Sequence, residues 1–161
     1  MKKLIFFISL LLILSSSLIA CEEESGNPDN TENDKPETEI ESMKLKVTVG
    51  SAILMATFSD NPTTRDFISL LPLTVKLDDY SNTEKIFYPE RKLSTQNAPA
   101  DINAVTGDIT YYSPWGNIAI FYKDFGNSRG LIRIAHFDGN IDVLKTSNSI
   151  ESVKFELQEE E

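Results

Sequence analysis

Short runs of alternating apolar and polar residues recur along this chain, each closed within a few residues by a turn signal, and that recurrence restricts the fold more than any other feature. Residues 44–49 set the pattern. Leu45, Val47 and Val49 face one way and Lys44, Lys46 and Thr48 the other, the period of a strand with one buried face. Gly50-Ser51 offers a two-residue hairpin turn, and residues 52–58 form a second, more continuously apolar strand. The same signals predict strands over 73–78, 84–88, 107–112, 117–122, 131–137, 141–145 and 152–157. Ser113-Pro114-Trp115-Gly116, with proline second and glycine fourth, suits a turn that folds two of them into a hairpin. One helix is predicted after Asn61-Pro62, an N-cap followed by proline at the first helical position; Phe67, Leu70 and Leu71 share its face and Pro72 ends it. Residues 92–105 are rich in Ser, Thr, Asn, Ala and Pro without a period, which predicts a long loop of the functional or mobile kind. Eight or nine short strands with one or two short helices predict an all-β domain, closed or nearly closed into a barrel because closure removes exposed edges.

That domain occupies residues 43–161, and what precedes it reads differently. Met1-Lys2-Lys3 and a mainly apolar run of 11 residues, too short for a bilayer core of about 30 Å, predict a signal over residues 1–20. Leu18-Ile19-Ala20-Cys21 resembles the lipobox of bacterial lipoproteins, a resemblance that implies a diacylglyceryl thioether on Cys21, an acylated mature N-terminus and anchoring to a membrane. Glu22-Glu23-Glu24 is similar to the acidic export signal of Bacteroidetes lipoproteins, which implies the outer membrane, on its periplasmic or cell-surface face. Residues 21–42 contain nine acids against the single base Lys35 and one aliphatic residue, Ile40, so they predict a disordered tether. Residues 43–158 hold 13 acids and 12 bases, so the net charge of −10 belongs to the tails. With no basic patch interleaved with aromatics, nucleic acid is excluded as a partner.

The chemistry available is narrow. One cysteine and one histidine exclude an intramolecular disulfide, a Cys/His zinc site, a haem box and an iron–sulfur cluster within one chain, and no metal or cofactor is expected. His136 alternates with Ile132 and Ile134, which puts it on an apolar face if that strand is regular. Gly126-Asn127-Ser128-Arg129-Gly130 has Gly-x-Ser-x-Gly spacing but runs into the strand predicted over 131–137 rather than into a helix, so no nucleophile elbow accompanies His136, and lipidation of Cys21 removes cysteine catalysis. Asp78-Asp79 and Asp138-Gly139-Asn140 read as turns without the ligand spacing of a calcium loop. Tyr111, Tyr112, Trp115, Phe121 and Tyr122 crowd one hairpin, and aromatics on opposite faces of a strand cannot all be core. Glu84, Lys85, Glu90 and Arg91 bracket the strand that ends at Tyr88 and bring charge beside such an aromatic surface. The candidate ligand-binding set is therefore Tyr88, Arg91, Tyr111, Tyr112, Trp115 and His136.

The run Asn61-Pro62-Thr63-Thr64-Arg65-Asp66-Phe67-Ile68-Ser69-Leu70-Leu71-Pro72-Leu73, together with Gly107-Asp108-Ile109-Thr110-Tyr111-Tyr112-Ser113-Pro114-Trp115-Gly116-Asn117-Ile118-Ala119-Ile120-Phe121-Tyr122, resembles the bacterial cyclophilin-like domain family. The resemblance implies a closed eight-stranded β-barrel capped by short helices, the fold of the prolyl isomerases, without implying their activity. Thr63, Phe67 and Leu70 match a cyclophilin helix at packing positions only. The glutamine in a glycine-rich run that cyclophilins use is missing, since Gln96 and Gln158 stand beside no glycine. The expectation is a membrane-anchored, non-catalytic module for a peptide or small ligand. The alternatives are a divergent peptidyl-prolyl isomerase acting on exported proteins and a subunit of an envelope assembly.

Overall fold

The computed structural model describes Ile40 and residues 42–159, so the predicted signal, Cys21 and nearly all of the tether lie outside the described residues. The strands are β1 (Met43–Val49), β2 (Ala52–Phe58), β3 (Leu73–Tyr80), β4 (Glu84–Phe87), β5 (Asn103–Ala104), β6 (Asp108–Tyr112), β7 (Asn117–Phe121), β8 (Gly126–Asn127), β9 (Leu131–Phe137) and β10 (Ile150–Glu159). Eight of them close into an antiparallel barrel in the order β1-β10-β3-β4-β7-β6-β9-β2, and β5 and β8 pair separately as a two-residue ladder. The closed eight-stranded all-β fold expected from the sequence is present.

The β1–β2 hairpin turns at Gly50-Ser51 with Val49 opposite Ala52, and Gly50 takes the positive φ that this two-residue turn demands. Alternation then sorts the side chains. Leu45 and Val47 of β1, Ile118 and Ile120 of β7, and Phe155 of β10 are fully buried inside the barrel. Helix α1 (Pro62–Ile68) lies against β9. The Asn61 side chain accepts from the Thr64 N–H (3.0 Å) as an N-cap while its Nδ2 donates to the Arg133 carbonyl (2.8 Å), and Phe67 is buried in the core. The helix ends at Ser69, so Leu70 and Leu71, expected on its face, follow it as partly buried residues packed on the core.

Two further expectations change. Residues 141–145 form no strand. Asp142–Leu144 is a 3₁₀ turn, opened by the Asn140 side chain accepting from the Asp142 N–H, and the buried residues are Ile141 and Leu144, three apart as one turn requires. In β9, Ile109 pairs with Ala135 but Thr110 pairs with Arg133, leaving Ile134 as a bulge. The extra residue reverses the phase of the strand, and His136 faces outward with Arg133 instead of inward with Ile132.

Candidate functional site

The outer face of β3, β4, β7 and β6 carries a groove of about 230 Å³. Register builds it. Tyr80 on β3 stands opposite Glu84 on β4, and Glu84 opposite Phe121 on β7, so a carboxyl sits between two rings. Farther along, Asn117 pairs with Tyr112, and the loop 113–116 between them lifts Trp115 over the sheet. Gly116, at φ +77°, closes that loop by donating its N–H to the Tyr112 carbonyl (2.8 Å). Ala119 lies between the two ends, and its small side chain leaves the depth that the groove occupies.

The walls are aromatic. Trp115 meets Tyr80 and Tyr112 edge-on, each with centroids 5.5 Å apart, and Phe125 lies 5.1 Å from Phe121. Tyr80, Trp115 and Phe125 remain 40%, 49% and 53% exposed, which leaves ring surface free for contact. Beneath them a small outer cluster of Ala104, Ala119, Phe121 and Leu131 backs the sheet.

Two polar groups in this groove lack partners. The buried Oδ1 of Asn117 accepts no hydrogen bond, while its Nδ2 donates only to the carbonyl of the next residue (3.3 Å). The Glu84 carboxyl forms no hydrogen bond or ion pair among the described residues, and burial pushes it up to about 7. Its neighbour Lys85 is the reverse. Fully buried on the inward side, Lys85 Nζ donates to Asp79 Oδ1 (2.9 Å), to the Asn148 carbonyl (2.8 Å) and to the Thr146 carbonyl. Tyr122 donates its phenol to the same Asp79 oxygen (2.6 Å); burial first, and then that bond, raise the phenol above its ordinary range. Burial alone would raise Asp79, but the bonds from Tyr122 and Lys85 prevail and hold it below the usual carboxylate value.

The residues expected to bind ligand therefore separate. Tyr112 and Trp115 line the groove. Tyr111 points into the barrel, 1% exposed, where its hydroxyl accepts from the Leu93 N–H (3.1 Å). Arg91 grips Asp66 on α1 with both terminal nitrogens (2.8 and 2.5 Å), and Ser94 N–H shares that carboxylate, so Arg91 fastens the long loop to the helix. Tyr88 is exposed outside the groove. His136 Nδ1 lies 2.8 Å from the buried Asp108 carboxylate, which also takes two hydrogen bonds from Arg133 and one from the Val105 N–H. Gly107 makes room for that ring, because a Cβ there would stand 2.9 Å from His136 Cε1. This cluster joins β6, β9 and the loop before β6 across the bulge, away from the groove. Tyr80, Phe125 and Asn117, which sequence reasoning did not select, complete the groove. Asn117 carried a signal in being the polar residue that opens an otherwise apolar strand.

Comparison with known proteins bears on the fold. The model of the cyclophilin-like family matches residues 47–156. A hypothetical protein from Archaeoglobus fulgidus, solved in solution, is similar in structure with a TM-score of 0.51 at 18% identity, over 72% of this chain and 95% of that one. No curated protein matches the chain.

Proposed function

Since the chain belongs to the cyclophilin-like family, a fold that does not dictate an activity, we propose that it is a non-catalytic binding module, held at the bacterial envelope by a lipid on Cys21, that presents the outer groove to a peptide or small ligand. One observation carries the reading: Glu84 and Asn117 Oδ1 go unpartnered in a groove walled by half-exposed rings. A buried polar atom left unsatisfied, as Asn117 Oδ1 is, costs about 1–3 kcal/mol, and such atoms are rare in folded proteins. Aromatic walls with a few convergent polar groups are the usual make-up of a ligand pocket.

An NMR titration of the labelled protein with Xaa-Pro peptides and small aromatic ligands tests this. Shifts at Trp115, Tyr80 and Phe121 without acceleration of prolyl exchange are expected. Accelerated cis/trans exchange would make the protein an isomerase, and shifts confined to the His136 side of the barrel would move the site. The anchor has its own test, in which Cys21→Ser is expected to release the protein from membranes.

A further inference from the structure

We propose that the groove receives a protonated amine on an apolar stem, with the ammonium against Glu84 between Tyr80 and Phe121 and the stem lying along the rings toward Trp115. The proposal rests on the groove being the binding site and adds the class of ligand. Three observations point to a cation. Glu84 is flanked across both neighbouring strands by rings rather than by a base. The lysines on β3, on β4 and just after β7 are committed elsewhere: Lys76 pairs with Asp78 and Glu151 (3.4 Å each), Lys85 turns inward onto Asp79, and Lys123 donates to the Asn82 carbonyl (2.6 Å). Tyr80, Trp115 and Phe125 keep ring surface exposed, and aromatic faces attract cations. An anionic ligand would meet the Glu84 carboxylate and the same negative ring faces, whereas a neutral apolar one would bury the carboxyl without a partner.

The titration of Glu84 supports this assignment, since burial brings its carboxyl to about 7. The other titratable side chains lining the groove are the phenols of Tyr80 and Tyr112. Asp79, Lys85 and Tyr122 form their network on the inward side of the same strands, with Tyr122 close enough to feel the charge of Glu84, and Lys123 sits on the loop after β7. At about pH 7 an arriving ammonium ion therefore drives the protonated fraction of Glu84 to carboxylate, and that proton passes to the buffer.

Trp115 is the sole tryptophan, so its fluorescence reports on the groove directly. The probes are phenethylamine and its neutral counterpart 2-phenylethanol, and an acetyl-Gly-Lys-Gly-amide peptide and its norleucine counterpart. Each amine is expected to bind about tenfold more tightly than its neutral counterpart at about pH 8, and calorimetry in buffers of different ionisation enthalpy at about pH 7 should find proton release for the amines alone. Glu84→Gln is expected to abolish both differences. Tight binding of phenethylamine alone identifies free small amines as the ligand, and tight binding of the lysyl peptide alone identifies a protein side chain. Equal binding of amine and neutral partner, with no proton released, would overturn the ammonium assignment while leaving the groove as a site. No fluorescence response to any of the four would overturn the groove itself.

Discussion

Glu84 and Lys85 are consecutive residues of β4, yet one points out of the barrel and the other in, and their surroundings are opposite in kind. Lys85 has lost all contact with water and is repaid with three acceptors, a carboxylate and two carbonyls, with the Tyr122 ring 5.5 Å from its nitrogen. Glu84 keeps some exposure and has no partner. A strand that can satisfy a buried ammonium this thoroughly has the means to satisfy a carboxylate as well. The difference teaches that the inward charge serves the fold, fastening the 145–149 segment over the barrel, and that the outward one does not.

Breaking the inward side should have the largest effect. Lys85→Met takes the ammonium from Asp79 and leaves two carbonyls without their donor, and loss of one member of a buried pair costs about 3–5 kcal/mol, readable as a shift of the urea midpoint with an unchanged slope. A cost below about 1 kcal/mol would mean that water takes the place of the ammonium and that the inward network is not structural.

Next comes pH. The Glu84 carboxyl titrates higher in the folded chain than in the unfolded one, so the unfolded state gives up its proton first as pH rises. Its contribution is complete below about 4.5 and fades as pH climbs through about 7, a loss on the order of 1–2 kcal/mol once partial exposure is allowed for. Asp79 behaves in the reverse sense: its lowered value adds stability above the ordinary carboxylate range that disappears in acid. Stability measured across this range for wild type and Glu84→Gln separates the two, because the variant should keep the acid limb and lose the decline toward neutrality. A decline that survives the substitution would assign it to another group.

A smaller change comes from Tyr122→Phe, which keeps the ring over Lys85 and removes one hydrogen bond to Asp79. A loss of about 1–1.5 kcal/mol is expected, and the acid limb assigned to Asp79 should weaken with it. An unchanged acid limb would separate Tyr122 from the titration of Asp79.

How much of this could be read from the sequence follows the range of the interactions involved. Strands β2 and β9 fall on their predicted limits, because alternation and turn residues are local signals. The phase of His136 was not legible, since Ile132-Arg133-Ile134-Ala135-His136-Phe137 alternates acceptably in either register until pairing with β6 places a bulge at Ile134. Ile141-Asp142-Val143-Leu144 likewise fits a strand or a single turn, and the Asn140 side chain decides for the turn. Half of the groove was visible as aromatics crowded into one hairpin. Of its other half, Tyr80 lies on a strand that reaches the hairpin only when the barrel closes, Phe125 folds back on Phe121 from the loop after β7, and Glu84 became distinctive only through the absence of a base across from it.

The smallest expected effect separates exposed aromatics in general from the rings around Glu84. Tyr88 follows β4 directly, is 59% exposed, and has no hydrogen bond or ring contact among the described residues. Tyr88→Ser should change stability by no more than about 0.5 kcal/mol and leave the fluorescence response of Trp115 to amines intact. Trp115 is also half exposed, but it touches two rings of the groove, so Trp115→Phe should weaken amine binding, followed by the shifts of Glu84 and Phe121 in NMR spectra, with little loss of stability. If Tyr88→Ser weakened binding as much as Trp115→Phe, the ligand would be spread over the outer surface of β4. Affinity that depends on Trp115 and not on Tyr88 confines it to the groove, where an unpaired carboxyl and open ring faces coincide.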